Sequence, residues 1–497
     1  MTATTRHSIT QQGTTAEDVE HGLPPVILII GGGYAGAALT IRLLEQWKSP
    51  LRIVIAEPRP SVGRGQAYST VETAQLMNGP AGNFSIHPHD LAHLARWVAK
   101  QSADHGVPLT DENAEKRFIP RHLFGCYVEQ ELQQSIRQSA PTAGVEHCHS
   151  EVVRLDRLPS GGLKAQLADG RVLSADFAVL ATGVFPLAAD PALSALSGDG
   201  RLTTPWESEK LDRLSKAKDI LIVGASLSMV DTIASLEARG CRGRYHVISR
   251  RGHLIEPVRV AGEPIDIIDA DALPATAREL LALVIKARRA LLAEGRDWQV
   301  IPLSLRPFIL PMWLQATTAE RLRFVRHLRS LWDVTAHRAA PPSYTAVEAA
   351  RNAGRFTARA ARLLSAVPAG EQIEVVLRPR CQKHSEMVLV DGIVDARGHQ
   401  EHNWGRITSP LVKNLLENGL VLRHDTGFGI NATPDGVVIG RDDVAHGDLF
   451  AIGHPLRGVA WESSSLTEQR AQAEALAVKI VDALVAARKP AGRRLAS

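Results

Sequence analysis

The stretch 25–47, PVILIIGGGYAGAALTIRLLEQW, limits the possible folds more than any other part of the chain. Val26 to Ile30 form an unbroken apolar run, the pattern of a short strand buried on both faces. Gly31, Gly33 and Gly36 then spell GxGxxG, an apolar helix follows, and a second strand, LRIVIAE, ends at Glu57. Gly31 permits a tight turn, Gly33 lets a pyrophosphate approach the backbone, and Gly36 lets the helix lie close on the strand. The helix N-terminus, with Tyr34 and Ala35 in its first turn, attracts phosphate. Glu57 is placed to accept hydrogen bonds from adenosine ribose hydroxyls. Strand, glycines, helix, strand and acid, in that order, predict a Rossmann-like dinucleotide unit of α/β class.

The motif has an altered second copy. In LIVGASLSMVD (221–231), Gly224 stands 26 residues before Arg250, the separation of Gly31 from Glu57. The spacing predicts a duplicated strand–helix–strand. The terminal acid is replaced by Ser249-Arg250-Arg251, and two guanidiniums there suit a 2′-phosphate, so this site reads as one for NADPH. Gly224, Ser226, Leu227 and Ser228 form its turn. Ser226 replaces the second glycine and offers a hydroxyl donor. Met229 replaces the third and is expected to hold helix and strand slightly apart. The competing reading is a second unit kept for the fold but idle.

Bulk composition narrows the classes. Of 497 residues, 44% are hydrophobic and 22% charged, as in ordinary globular chains. A net charge of +4, with no basic face interleaved by aromatics, argues against nucleic acid as a partner. Cys126, Cys148, Cys241 and Cys381 form no CxxC or CxxxxC pair, which removes dithiol chemistry and fits a reducing cytoplasm. Residues 1–24 read as a loose tail rather than a signal peptide, and 488–497 as a basic tail. No apolar run approaches the roughly 18 residues of a membrane span.

Further along, LKAQLADGRVLSADFAVLATGVFP (163–186) reads as a hairpin turning at Asp169-Gly170, then an apolar strand ending in Ala181-Thr182-Gly183. GDLFAIGHP (447–455) is another short strand ending in glycine, before a long Ala-rich helix at 466–487. This order resembles the glutathione-reductase-like two-dinucleotide-binding flavoproteins, over residues 25 to about 487. The resemblance implies FAD in the first site, with Val152, Thr182, Gly183 and Gly453 joining Gly31, Gly33 and Glu57 around it. Where that superfamily has an acid after the late glycine, this chain has His454. Four more segments, 68–98, 117–128, 332–342 and 449–477, resemble a bacterial family of FAD–NAD(P)-binding proteins similar to class B flavin monooxygenases. Amino-acid N-hydroxylases and a urate hydroxylase are among its relatives. Ser228 matches a serine many flavin monooxygenases carry in this turn, and Asn78 a flavin-facing asparagine. The plainer reading of Asn78 is a turn-forming Asn-Gly pair. The resemblance further sets Arg338, Trp461 and Glu462 against the substrate. The Baeyer–Villiger fingerprint FxGxxxHxxxW is missing, so hydroxylation at carbon or nitrogen is expected over ketone insertion.

The expected division is FAD-binding over 25–200, NAD(P)-binding over 201–270, a helical insertion over 271–365, and completion of both domains over 366–487. Within the insertion, 277–295 and 317–334 have the apolar i, i+3, i+4 spacing of amphipathic helices that cap the flavin. His87 and His89 invite a metal reading, but their neighbourhood in sequence shows no third ligand, and none is expected. The cycle implied by the resemblance runs from NADPH hydride to FAD N5, then O2, a C4a-hydroperoxyflavin, and oxygen transfer to a small polar substrate. An NAD(P)H-dependent electron-transfer reductase and a non-catalytic flavin-binding sensor are the alternatives. The expected partners are substrate and O2, without nucleic acid or membrane, and with a homodimer left open.

Overall fold

The computed structural model describes residues 24–101, 114–139, 143–259, 262–400 and 402–488. The expected tails, 1–24 and 488–497, lie outside these except for Pro24 and Arg488. The chain opens with β1 (Val26–Ile30), α1 (Tyr34–Gln46) and β2 (Leu51–Ala56). Helices α2 (His93–Gln101) and α3 (Arg121–Ser139) precede β3 (Ala143–Cys148). A small antiparallel sheet follows, of β4 (Val152–Arg157), β5 (Leu163–Leu167) and β6 (Val172–Ala175), before β7 (Phe177–Leu180) rejoins β1. Gly170 turns the β5–β6 hairpin with a φ of 87°.

The second unit comprises β8 (Leu202–Thr203), α4 (Ser208–Leu214), β9 (Asp219–Val223), α5 (Leu227–Ala238) and β10 (Arg244–Ser249). Its sheet is then interrupted by α6 (Ala277–Ala293), α7 (Val300–Leu305), α8 (Ile309–Gln315), α9 (Thr318–His327) and α10 (Arg329–Ala336). It resumes with α11 (Pro341–Asn352), β11 (Phe356–Ala369), β12 (Gln372–Pro379), β13 (Glu386–Val390) and β14 (Gly392–Asp395). The chain re-enters the first unit through α12 (Pro410–Glu417), β15 (Val437–Ile439), β16 (Ala445–Ala451) and α13 (Leu466–Arg488).

The first sheet has the order β15-β16-β7-β1-β2-β3 and is parallel except for β15. The second, β13-β12-β11-β10-β9-β14-β8, is parallel except that β12 pairs antiparallel with both β11 and β13. Sheets covered on both faces need strands apolar throughout, and β1 and β9 are each buried along all but their first residue. The first sheet packs α1, α3 and α13 on one face and the small sheet with α12 on the other. Ile30 stands opposite Ala56 and Val223 opposite Ile248, so the two phosphate-type turns leave equivalent ends of their sheets.

Two features of the insertion differ from the sequence reading. The apolar stripe over 317–334 is two helices, broken at Leu328, rather than one. Inside the 271–365 span, α11 buries Tyr344, Val347 and Ala350 against α5, so it covers the second sheet instead of joining the cap. Among the described residues no helix is long and apolar enough to cross a membrane.

Candidate functional site: two dinucleotide turns and a capped cleft

In the first unit the glycines are needed sterically. Gly31 has a φ of 108°, and a Cβ there would sit 2.4 Å from the Ala181 carbonyl oxygen. A Cβ on Gly36 would come within 2.3 Å of the Gly31 oxygen, so only glycine lets α1 start this close to β1. Gly33 is different. Its φ is −75°, and a Cβ would meet nothing nearer than Gly65 Cα at 3.6 Å, so the fold leaves this position open to a ligand. Glu57 is 3% exposed; it accepts from the Gly32 amide at 2.9 Å and from the Arg59 backbone and guanidinium. Its carboxylate thus braces the glycine turn as well as standing at the end of β2.

Around this turn, Thr182 Oγ1 is buried and has no hydrogen-bond partner among the described residues. Gly183, with a φ of 63°, faces open space. Gly453, with a φ of 76°, donates its N–H to Gln472 Oε1 and lies against Ala35. An orphaned hydroxyl, an unfilled Gly33 and a helix N-terminus form a cradle that fits a dinucleotide diphosphate. Two expected residues contribute differently. The Tyr34 ring packs on Phe124 and is fully in the core, where burial raises its phenol far above the ordinary value. The Val152 side chain is buried opposite Leu167, which leaves only its main chain able to face a cofactor.

The second turn keeps the glycine at one position. Gly224 has a φ of 124°, and a Cβ there would meet the Ala396 oxygen at 2.3 Å. Ser226 is the N-cap of α5 yet makes no capping bond with its side chain, so its hydroxyl is available. Met229, in place of the third glycine, is wholly buried among Ile220, Ile222 and Val230. The helix start is altered with it: Met229 N donates to Ser226 O at 3.0 Å, and the α-type bond from Val230 stretches to 3.4 Å. In α1 the equivalent α-type bond, Ala37 N to Gly33 O, is 3.0 Å.

The two arginines part company. Arg250 is exposed and, among the described residues, makes no hydrogen bond or ion pair. Arg251 donates to the carbonyls of Arg326 and His327 at the C-terminus of α9 and to Ser330 Oγ, at 2.5, 3.2 and 2.8 Å. Its guanidinium ties the second unit to the cap, where free carbonyls at a helix end favour a cation.

A cleft of about 1010 Å³ joins the two units beneath the cap. Asn78 and Phe84 line it from the first unit, Ser226, Leu227, Ser228, Arg250 and Arg251 from the second, and Arg338, His454 and Glu462 from elsewhere. Among the described residues the Asn78 side chain makes no hydrogen bond, although Asn78 sits in a chain bend. Arg338 is 9% exposed and donates only to Gln299; burial lowers its guanidinium below the ordinary value, against the pull of Asp297. The Glu462 carboxylate accepts from Trp332 Nε1 at 2.7 Å, with His337 Nε2 at 3.9 Å. Trp461 is withdrawn from the cleft. It stacks among Trp313, Phe324 and Phe428 and borders a separate apolar cavity of about 70 Å³.

Several residues outside the sequence-derived set shape the site. Trp313 Nε1 donates to Gly458 O at 2.8 Å, and Arg457 reaches Asp333, so the cap is docked on the loop after Gly453. Arg121 and Asp231 pair across the two units at 2.9 Å, as Glu72 and Arg239 do at 2.6 Å. These contacts join residues far apart in sequence and leave no local pattern to read. The histidine pair is rearranged too. His89 is exposed and apart, while His87 meets His93 and Glu131.

Two Rossmann-like units, each with a glycine turn at the end of its first strand, and a capped cleft between them define the two-dinucleotide-binding flavoprotein fold. Residues 28–185 match the FAD-NAD(P)-binding family, so this part is an FAD–NAD(P)-binding domain. No curated protein matches the chain by sequence. Among solved structures, an ornithine hydroxylase from Pseudomonas aeruginosa in its reduced form is similar at 17% identity and a TM-score of 0.60, covering 93% of this chain and 100% of its own. An ornithine N-hydroxylase from Kutzneria sp. 744, with reduced FAD, NADP+ and L-ornithine, gives 15%, 0.61, 93% and 100%. The FAD-bound cadaverine monooxygenase of Erwinia amylovora gives 12%, 0.63, 93% and 95%. At these identities the likeness is one of fold.

Proposed function

We propose that the protein is an FAD-dependent, NADPH-driven monooxygenase that hydroxylates a small polar substrate at carbon or nitrogen. The observation that carries this reading is the roof of α7–α10 over a cleft lined by the second nucleotide turn and by the loop of the first unit that carries Asn78 and Phe84. A reductase serving a redox protein needs an open flavin edge. A monooxygenase needs its reactive centre shut away from water. The fold shared with ornithine and cadaverine hydroxylating enzymes supports the same reading.

When bound, FAD supplies oxygen activation and NADPH the reducing equivalents. In this reading Gly33, Thr182 and Gly183 hold the FAD diphosphate side, and Glu57 takes the ribose while bracing the turn. Ser226, Ser228 and Arg250 hold NADPH, with Arg250 on the 2′-phosphate. Asn78 offers an uncommitted amide to the nicotinamide–flavin region. Arg338, the sole sequence-derived arginine in the cleft with a buried Nε lacking a partner, attracts an anionic group of the substrate.

The test is flavin content of the purified protein, then a screen of amino acids and purines for NADPH consumption matched by O2 uptake and hydroxylated product. Turnover with artificial electron acceptors and no oxygenated product would replace this reading with a reductase. FAD without any hydride transfer would make the protein a flavin-binding sensor.

A further inference from the structure

Away from the cleft, three side chains from separate parts of the first unit converge. His87, in the loop before α2, places Nε2 2.9 Å from Oε2 of Glu131 on α3. His93, the first residue of α2, lies edge-on to His87 with ring centroids 4.4 Å apart. One nitrogen of each imidazole and one Glu131 oxygen all lie within 4.8 Å of one another. Glu131 is 6% exposed, and among the described residues its hydrogen-bond partner is His87 alone. A buried carboxylate calls for a cation or several donors, and one imidazole N–H falls short of that.

The surroundings prepare the imidazoles as ligands. The buried Tyr127 hydroxyl sits 3.0 Å from His93 Nδ1 and fixes the ring orientation, as outer partners of ligating histidines do. The His87 main chain is held on both sides by Ser85 Oγ. Two cations stand nearby, and each has its own carboxylate. Arg42, whose Nη2 is 3.4 Å from His87 Nδ1, pairs with Glu45 at 2.6 Å and Glu474 at 3.8 Å, and Arg96 pairs with Asp90.

We propose that His87, His93 and Glu131 form a binding site for a zinc-type divalent ion. Two imidazoles and one carboxylate are a known zinc ligand set, with a fourth position for water. Zinc bonds of about 2.0–2.2 Å bring tetrahedral ligands about 3.4 Å apart, so the three ligand atoms, now within 4.8 Å of one another, draw together on binding. The ion joins the loop carrying His87 to α2 and α3, and α3 packs on α1. It is independent of the activity proposed above.

The test uses the full chain without a histidine tag, dialysed against EDTA and titrated with ZnCl2 by calorimetry while the melting temperature is followed. One equivalent of Zn2+ should bind and raise the melting temperature, and MgCl2 should do neither. His87→Gln and Glu131→Gln should each weaken Zn2+ binding at least about tenfold, since even an outer partner of a ligand is worth that much. His89→Ala, the exposed neighbour, should leave binding unchanged. His87→Gln lies on a half-exposed loop, so its result stands even where Glu131→Gln fails to fold. No Zn2+ uptake, uptake indifferent to His87→Gln, or uptake lost with His89→Ala would each overturn the site.

Discussion

Arg250 and Arg251 are neighbours in sequence with different surroundings, and their roles should separate on substitution. Arg250 has an uncommitted guanidinium in the cleft, and Arg251 spends its own on two carbonyls and a hydroxyl of the cap. Arg250→Ala should raise the KM for NADPH roughly ten- to a hundred-fold, the size of a lost charge-assisted contact, and leave that for NADH nearly unchanged. Arg251→Ala should shift both coenzymes alike and by less. Steady-state kinetics with NADPH and NADH decide it, and an equal loss with both coenzymes in Arg250→Ala would remove the 2′-phosphate role. Gly33 gives a second test, because the fold tolerates a side chain there and a diphosphate does not. Gly33→Val should purify folded yet colourless, by circular dichroism and flavin absorbance, and a full flavin complement would place FAD elsewhere. The steric need for Gly31, Gly36 and Gly224 was legible in the sequence because each acts within its own turn. That Arg251 faces the cap was not, since its partners lie some 75 to 79 residues away.

Among the elements, the duplicated strand–helix–strand could be read from spacing alone. Both copies bury an apolar strand, and both return a second strand in the same register. At Met229 the copies differ in a way spacing does not show: the first turn of α5 is tightened, with Met229 N on Ser226 O at 3.0 Å. The cap could be recognised as helical from its periodicity, but the residues that fasten it could not, because tryptophan N–H groups leave no periodic signature. Trp313 donates to Gly458 O and Trp332 to Glu462, so two indoles hold the roof on the loop after Gly453. Trp313→Phe keeps the ring packing and removes one of these bonds, at a cost of about 1 kcal/mol in cap docking. In the proposed monooxygenase, a looser roof should let a larger share of NADPH oxidation end as hydrogen peroxide. Comparing NADPH consumed with product formed measures this, and unchanged coupling would show that the cap does not seal the reaction.

The two units are joined by ion pairs of opposite electrostatic character, and pH distinguishes them. Glu72 accepts a bidentate contact from Arg239 and a hydroxyl from Ser208, and these bonds hold its carboxyl below the ordinary range despite partial burial. Its contribution is present above the unfolded value of 4.5 and is lost as pH falls through the folded one. Asp231 behaves in reverse. It is 4% exposed, and burial raises its carboxyl to about 6 even with Arg121 at 2.9 Å pulling it down. The folded protein therefore binds the proton more tightly than the unfolded chain. Stability linked to Asp231 is full below pH 3.8 and is lost as pH rises through about 6. A shift of this size corresponds to something on the order of 3 kcal/mol. Asp231→Asn removes the titration with nearly the same shape, and Arg121 keeps its bond to the Leu76 carbonyl and its place over Trp206. Subtracting the variant's unfolding free energy from the wild type's cancels Glu72, which titrates in both proteins. Measured by chemical denaturation from pH 4 to 8, that difference should fall steadily between about pH 4 and 6 and then level off. A flat difference, or one that rises with pH, would mean that Arg121 outweighs burial and that Asp231 is an ordinary ionised partner.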